Sequence, residues 1–344
     1  MRAAVYTGAK RFEVEERPGG DPGPGEVQLQ VAYTGICGTD LHIYHGDMDA
    51  RVGDRAVLGH EMSGRIAALG TGVEGWAVGD PVTVMPLRWC GECAACRAGN
   101  QHICLRLTFL GIDAAGSMQN RWTVPADRLV RLPADLPLRD AAVVEPVAVA
   151  VHDVRRAQVQ AGEKVVVVGG GPVGLLIATV AREFGGDVVV VEPNPFRRGM
   201  AEAFGHATVD PAANDVQDVV QAWTSGAGAD VAFEVSGAQA GMDAAVAVLS
   251  ARGRLVLVAI HTASRTVDLH RFFWRELSLV GARLYQLADF ETAVDLVASQ
   301  RVRVGELISA VEPLDRIGEA FVTLQAGDGV MKVLIDCREA EVAE

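Results

Sequence analysis

The sequence predicts an α/β protein in which a doubly wound parallel sheet is inserted into a β-rich domain. Three successive textures along the chain carry this reading. Short β-rich runs broken by Gly and Pro fill roughly the first 150 residues, Val-rich runs alternating with helical segments follow, and the rhythm changes again after about residue 285. At 344 residues the chain is about twice a usual domain. Its 49% hydrophobic and 22% charged residues are those of a globular protein with a large core that needs no disulfide staples. The 38 glycines exceed the roughly 7% background and point to tight turns or close backbone approaches.

In chain order, Glu26–Val31 after Pro22-Gly23-Pro24-Gly25, Gly64–Leu69 before Gly70-Thr71-Gly72, and Pro81–Val84 after Gly79-Asp80 read as strands. Their irregular spacing suggests a barrel or sandwich. Beyond residue 150 come strands at Val165–Val168, Val188–Val191, Val231–Val235 and Leu255–Ile260, with helices at Val173–Phe184 and Pro195–Phe204. Continuous Val-rich strands alternating with helices imply a parallel sheet covered on both faces. A helix at Phe290–Ser299, another near Leu314–Leu324 and a strand at Val330–Ile335 close the chain. The expected division is 1–150 with 287–344 as the β-rich domain, including a cysteine lobe at 88–106, and 151–286 as the parallel-sheet domain.

Charge excludes several partners. The balance of 31 basic against 44 acidic residues gives −13, with no long basic run, which argues against nucleic acid and anionic membrane. No apolar leader follows Met1. The longest uncharged apolar stretch, Val165–Ala181, is interrupted by Gly169, Gly170, Gly171, Pro172 and Gly174, and so reads as strand, loop and helix rather than a membrane span. Six cysteines in such a chain point to metal or catalysis before disulfides, and the expected compartment is the cytoplasm.

Three constellations carry chemistry. Cys90-x2-Cys93-x2-Cys96-x7-Cys104 places four thiols where they can close tetrahedrally on one Zn²⁺ and leave no open position, which is a structural site. An iron–sulfur cluster and two disulfides are the alternatives; the last spacing and the absence of a following Pro differ from the bacterial ferredoxin run. The second set is Cys37 in Gly35-Ile36-Cys37-Gly38-Thr39-Asp40-Leu41-His42, His60 and Glu61 in Gly59-His60-Glu61, and Glu145 within Val143-Val144-Glu145-Pro146-Val147. A carboxylate among apolar residues is costly unless it is paired, protonated or coordinating. A mixed Cys/His/Glu set with one position open is the catalytic style of zinc site, yet a lone Cys or His is more often a packing residue. The third is Gly169-Gly170-Gly171-Pro172-Val173-Gly174 after Lys164–Val168, with Glu192 ending the next strand 18 residues past Gly174. This is the dinucleotide fingerprint: Gly169 for the turn, Gly171 for approach to the pyrophosphate, Gly174 for helix–strand packing, free N–H groups for the phosphates and Glu192 for the adenosine ribose.

In these motifs and their order the chain resembles the zinc-containing medium-chain alcohol/polyol dehydrogenases. The resemblance covers nearly the whole sequence. It implies a GroES-like catalytic domain split around a Rossmann domain, two Zn²⁺ per chain, NAD as cofactor and a homodimer or homotetramer. It assigns the catalytic zinc to Cys37, His60 and a glutamate, with both Glu61 and Glu145 matching ligand positions, and the structural zinc to Cys90, Cys93, Cys96 and Cys104. Thr39 and His42 match the proton relay. Gly169, Gly171, Pro172, Val173, Gly174, Glu192, Arg197, Ile260 and Leu284 match cofactor-binding positions.

The segment Cys37–Tyr44 is similar to L-threonine 3-dehydrogenases, but His45-Gly46-Asp47 stands where that group has Trp-Asp. The stretches around Glu145-Pro146 and Glu192–Arg198 are closer to sorbitol and butanediol dehydrogenases. The expected reaction is therefore oxidation of a secondary alcohol of a polyol or vicinal diol to a ketone, with a threonine-like 2-amino-3-hydroxy acid as the alternative substrate. Zinc would lower the hydroxyl pKa, and Thr39 would pass the proton toward His42. Glu192 would repel a 2′-phosphate and so favour NAD over NADP. A zinc-free quinone or enone reductase and a non-enzymatic nucleotide sensor are the competing readings; the Cys37, His60 and Glu145 set argues against the first.

Overall fold

The computed structural model describes residues 1–261, 263–327 and 329–339. It divides into two compact units, Met1–Glu145 with Gln286–Glu344, and Pro146–Tyr285. The first is β-rich. Its main sheet has seven strands, organised round the ten-residue strand Glu26–Gly35. On one side that strand pairs antiparallel with Glu61–Leu69, in a register that sets Gly35 opposite Glu61. Other partners share it between them: Arg121–Pro125 pairs with Glu26 to Gln30, and Lys332–Asp336 with Tyr33 to Gly35. Alternate residues Val27, Leu29 and Val31 are fully buried, which is the period-two pattern of a strand with one face on the core.

The second unit is a six-stranded parallel sheet in the order Ala207–Val209, Asp187–Val191, Lys164–Val168, Ala229–Glu234, Leu249–Leu257, Ser278–Gly281. Numbered along the chain this is 3-2-1-4-5-6, the dinucleotide-binding arrangement. The Val-rich strands are buried because helices cover them, and Val166, Val168, Val189, Val191, Ala232 and Leu255 share one apolar cluster. Among the described residues no helix is long and apolar enough to cross a membrane.

Element ends differ from the sequence expectation for identifiable reasons. The strand expected at Leu255–Ile260 begins at Leu249 and stops at Leu257, because the N–H groups of Val258 and Ala259 both turn onto the Glu234 carbonyl (3.1 Å each). The last strand starts at Lys332 rather than Val330. The helix near Leu314 opens with a tight turn, Leu314–Arg316, before the helix Ile317–Ala326. The apolar run around Glu145 is the start of a helix, Val144–Arg156.

Glycines of the fingerprint do separate work. A Cβ on Gly174 would overlap the carbonyl oxygen of Gly169 in the turn below it, whereas one on Gly171 would meet only Arg197 Nη1 at 3.9 Å. Gly174→Ala is therefore expected to destabilise the protein by about 1–3 kcal/mol through overpacking. Gly171→Ala should change stability by less than about 0.5 kcal/mol. Thermal denaturation of the two variants side by side checks the ranking.

Candidate metal and nucleotide sites

Cys37 stands at the join between the Glu26–Gly35 strand and the helix Gly38–Tyr44, as the N-cap of that helix. Its N–H donates to Asp40 Oδ2 at 2.9 Å, so the helix start is locked by its own third residue. His60 precedes the strand Glu61–Leu69 and follows Gly59, whose φ of +98° and surroundings (Ser117 Oγ 2.8 Å from where a Cβ would stand) demand glycine. These constraints bring one ligand atom each of Cys37, His60 and Glu61 within 4.8 Å of one another.

The chemistry of this cluster suits a divalent cation. His60, Glu61 and Asp40 are all essentially buried. Asp40 Oδ1 and His60 Nδ1 have no hydrogen-bond partner and lie 3.8 Å apart. A buried carboxylate facing a histidine ring nitrogen in this way is the pairing that orients a metal-binding histidine. Burial pushes the His60 pKa down, but the Asp40 carboxylate, the Cys37 side chain and the Glu145 charge outweigh it and bring the value to about 10. The surroundings of His60 therefore carry strongly negative potential, which a bound cation would offset. Burial raises the Asp40 carboxyl, with His60 acting in the opposite direction. Glu145 is buried; it lies outside the group of three but within electrostatic reach of His60.

Thr39 and His42 are three residues apart on the Gly38–Tyr44 helix, a spacing that puts them on one face. The half-exposed His42 has its Nδ1 3.2 Å from Asp47 Oδ2. Sequence reasoning missed three neighbours of the donors. Asp40 was legible as an N3 capping carboxylate. Lys332 was legible by the same criterion as Glu145, a charge inside an apolar run. Burial lowers the Lys332 pKa, yet Glu61, Cys37 and Glu145 together raise it above the usual lysine value. Phe109, whose ring meets His60 edge-on at 5.0 Å between centroids, had no local signal.

The second metal cluster is Cys90, Cys93, Cys96 and Cys104. Its sulfur separations of 3.5, 3.9 and 4.0 Å match the edge of about 3.8 Å in a tetrahedron with Zn–S of about 2.3 Å. Backbone N–H groups of Cys90, Cys93, Cys96 and Arg106 point at sulfurs at 3.3–3.5 Å. The backbone at Glu92 is the main influence lowering Cys90 to about 6, whereas burial pushes Cys96 up to about 12. None of the six cysteines is in a disulfide. Four thiols so close, with no bridge between them, fit Zn²⁺ and leave no position for substrate.

In the second unit Gly171 is the N-cap of the helix Pro172–Glu183, and Pro172 occupies its first turn. Gly169, at φ +108°, makes the turn that only glycine adopts freely. Glu192 is 4% exposed and ties two loops together: Oε2 accepts the Gly170 N–H at 2.7 Å and Oε1 accepts the Asn194 N–H at 2.8 Å. Arg198 is committed to the carbonyls of Glu192 and Pro193 and to Asp210. Arg197 instead faces the glycine turn, with a buried Nε that makes no hydrogen bond. Ile260 is 65% exposed just past the fifth strand, and Leu284 has a positive φ of 59°. Glu234, which the sequence reading did not single out, accepts from the N–H groups of Ser236 and Gly237 at 2.9 and 3.0 Å and lies 3.1 Å from His261 Nε2.

Residues 23–134 match the alcohol dehydrogenase GroES-like domain, and residues 172–299 match the zinc-binding dehydrogenase domain. The chain belongs to the zinc-containing medium-chain polyol dehydrogenases. It is 49% identical to 2-dehydro-3-deoxy-L-galactonate 5-dehydrogenase of Pseudoalteromonas atlantica over 98% of this chain and 99% of that one. Sorbitol dehydrogenase of Halalkalibacterium halodurans is 33% identical over 97% and 99%. The crystal structure of 2R,3R-butanediol dehydrogenase from Bacillus subtilis superposes with a TM-score of 0.89 at 29% identity, covering 97% and 99%. The enzyme is thus a zinc-dependent dehydrogenase of secondary alcohols.

The two donor sets of this dehydrogenase should each hold one zinc ion. Cys93→Ser is expected to remove one ion per chain and lower Tm by about 5 °C or more. Cys37→Ser should remove the other, abolish activity and leave the fold intact. Metal analysis by mass spectrometry with circular dichroism separates the cases; one zinc per chain in a fully active preparation would contradict the two-site assignment.

Proposed function

We propose that the enzyme oxidises a secondary hydroxyl of a polyhydroxy carboxylic acid of sugar origin to a ketone, with NAD as hydride acceptor. The observation that carries the substrate class is the 49% identity, spread over almost the whole chain, to a dehydrogenase acting at the 5-position of a 2-dehydro-3-deoxy sugar acid. The β-rich unit serves as the catalytic domain and the parallel-sheet unit as the dinucleotide-binding domain.

Cys37, His60 and a glutamate would hold the catalytic zinc, and Cys90, Cys93, Cys96 and Cys104 the structural one. When bound, the catalytic ion supplies Lewis-acid polarisation of the hydroxyl oxygen. Thr39 takes the hydroxyl proton and passes it to His42, which Asp47 orients at 3.2 Å and which is exposed enough to hand it to water. Gly171 and the N–H groups opening the Pro172–Glu183 helix receive the pyrophosphate. Glu192, at the end of the second strand of the parallel sheet, would meet the adenosine ribose, and its charge would disfavour a 2′-phosphate. Ile260, exposed just past the fifth strand, and Leu284 would border the nicotinamide end. The six unpaired thiols suit a reducing compartment, and we place the enzyme in the cytoplasm.

A substrate panel with NAD tests this reading. Sugar acids should exceed neutral polyols and butanediol isomers by at least tenfold in kcat/KM, about 1.4 kcal/mol of transition-state binding. NADP should be the poorer acceptor, and Glu192→Ser should narrow the gap. Threonine or ethanol as best substrate would overturn the assignment.

The enzyme is also proposed to be a homo-oligomer. Ser278–Gly281 is an edge strand of the six-stranded sheet. Leu279 on that strand is 52% exposed, and Phe273 and Trp274 on the helix before it are 78% and 73% exposed. An open strand edge next to large apolar side chains is a surface that a second copy would cover. Light scattering should give at least twice the chain mass, and Trp274→Asp should shift the enzyme toward the monomer.

A further inference from the structure

The most unusual buried group outside the sequence motifs is the side chain of Lys332. It opens the strand Lys332–Asp336 and is 5% exposed. Its Nζ pairs with Glu61 Oε2 and also donates to the Ile36 carbonyl at 3.0 Å. Ile36 immediately precedes Cys37, so the ammonium group contacts one metal donor and the backbone next to another.

The sheet explains how the pair forms. Glu61 and Lys332 lie on the two strands that flank Glu26–Gly35, with Glu61 directly opposite Gly35 and Leu334 paired to Gly35 from the other side. The two side chains meet across the middle strand in the space where Gly35 has none. A Cβ at Gly35 would stand 3.0 Å from Lys332 Cε and overlap the Glu61 carboxylate. Gly35 has no positive φ; its role here is space.

A carboxylate with one oxygen held by a buried ammonium has only the other oxygen, and only part of its charge, to offer a metal. We propose that Lys332 is a positioning residue for the catalytic metal centre, holding Glu61 across Gly35 so that this glutamate is a weak, exchangeable ligand and a coordination position stays available to substrate. A purely structural role would make the pair a stitch between strands with no effect on how the ion is held. Outer partners that orient ligands change metal affinity by factors of 10–100 in other sites, so the two roles are separable by experiment. The inference rests on the donor-set reading given above.

The test uses the full-length enzyme with Co²⁺ exchanged into the catalytic site. Its readouts are the visible absorption bands and the half-time of metal release to a chelator, with the four-cysteine ion as internal reference. Lys332→Met should free Glu61 to bind the ion fully, changing the bands, slowing release about tenfold and raising KM more than it lowers kcat. Lys332→Arg should restore wild-type behaviour in large part. In a Glu61→Gln background the Lys332→Met effect should fall below about twofold, because the lysine acts through that carboxylate. Should Lys332→Met fail to fold, Gly35→Ala separates the pair with both charges kept and is expected to shift release and bands in the same direction. Unchanged bands and release, faster release in a folded variant, or equal effects with and without Glu61 would overturn the proposal. Wild-type protein that takes up metal only at the four cysteines would instead overturn the donor-set reading itself.

Discussion

Ionisable side chains held together inside the β-rich unit impose the constraint from which most of its architecture follows. Asp40, His60, Glu61 and Lys332 are buried, and Cys37 lies among them. Charges in such a place are tolerated only when each is paired, hydrogen-bonded or bound to a cation. Here the lysine answers Glu61, the Cys37 N–H answers one oxygen of Asp40, and the remaining donors converge where a metal ion would answer them. The glycines at 35 and 59 belong to the same requirement, because a side chain at either position would occupy space taken by Glu61 and Lys332 or by Ser117 and Met118.

The two metal-donor sets show opposite solutions to holding zinc. Four thiols wrapped by one short segment, with backbone N–H groups aimed at their sulfurs, would saturate the ion and leave it a purely structural part. The mixed set draws on a helix N-cap and a strand start, and is incompletely saturated. With an ion bound, that incompleteness would leave room for a hydroxyl oxygen to be polarised there. The nucleotide unit applies the same economy differently: Glu192 fastens the glycine turn to the loop after its own strand, so the acidic residue proposed to meet the ribose also shapes the turn proposed to receive the phosphates.

The features legible in the sequence are those whose partners are close along the chain. The four-cysteine lobe spans 15 positions, and the glycine turn with its strand and helix spans about 20. Spacing alone therefore states their geometry, since a short segment has few ways to bring those groups together. The parallel sheet is readable for a related reason: strands buried on both faces must be apolar throughout. Strand ends were less legible, because Leu257 is where its strand stops only on account of two N–H groups turning to the carbonyl of Glu234, a residue on another strand.

The sequence by itself determined the α/β class, the four-cysteine lobe, the dinucleotide fingerprint and the residue types able to bind a second metal. Tertiary structure alone decided which of those donors meet. Cys37 and Glu61 come together through the register of two antiparallel strands, and Lys332 reaches Ile36 across 296 positions of chain. Contacts of that separation leave no periodicity or spacing to read. They exist because the sheet buries all three strands side by side and the low-dielectric interior makes any unpaired charge there costly.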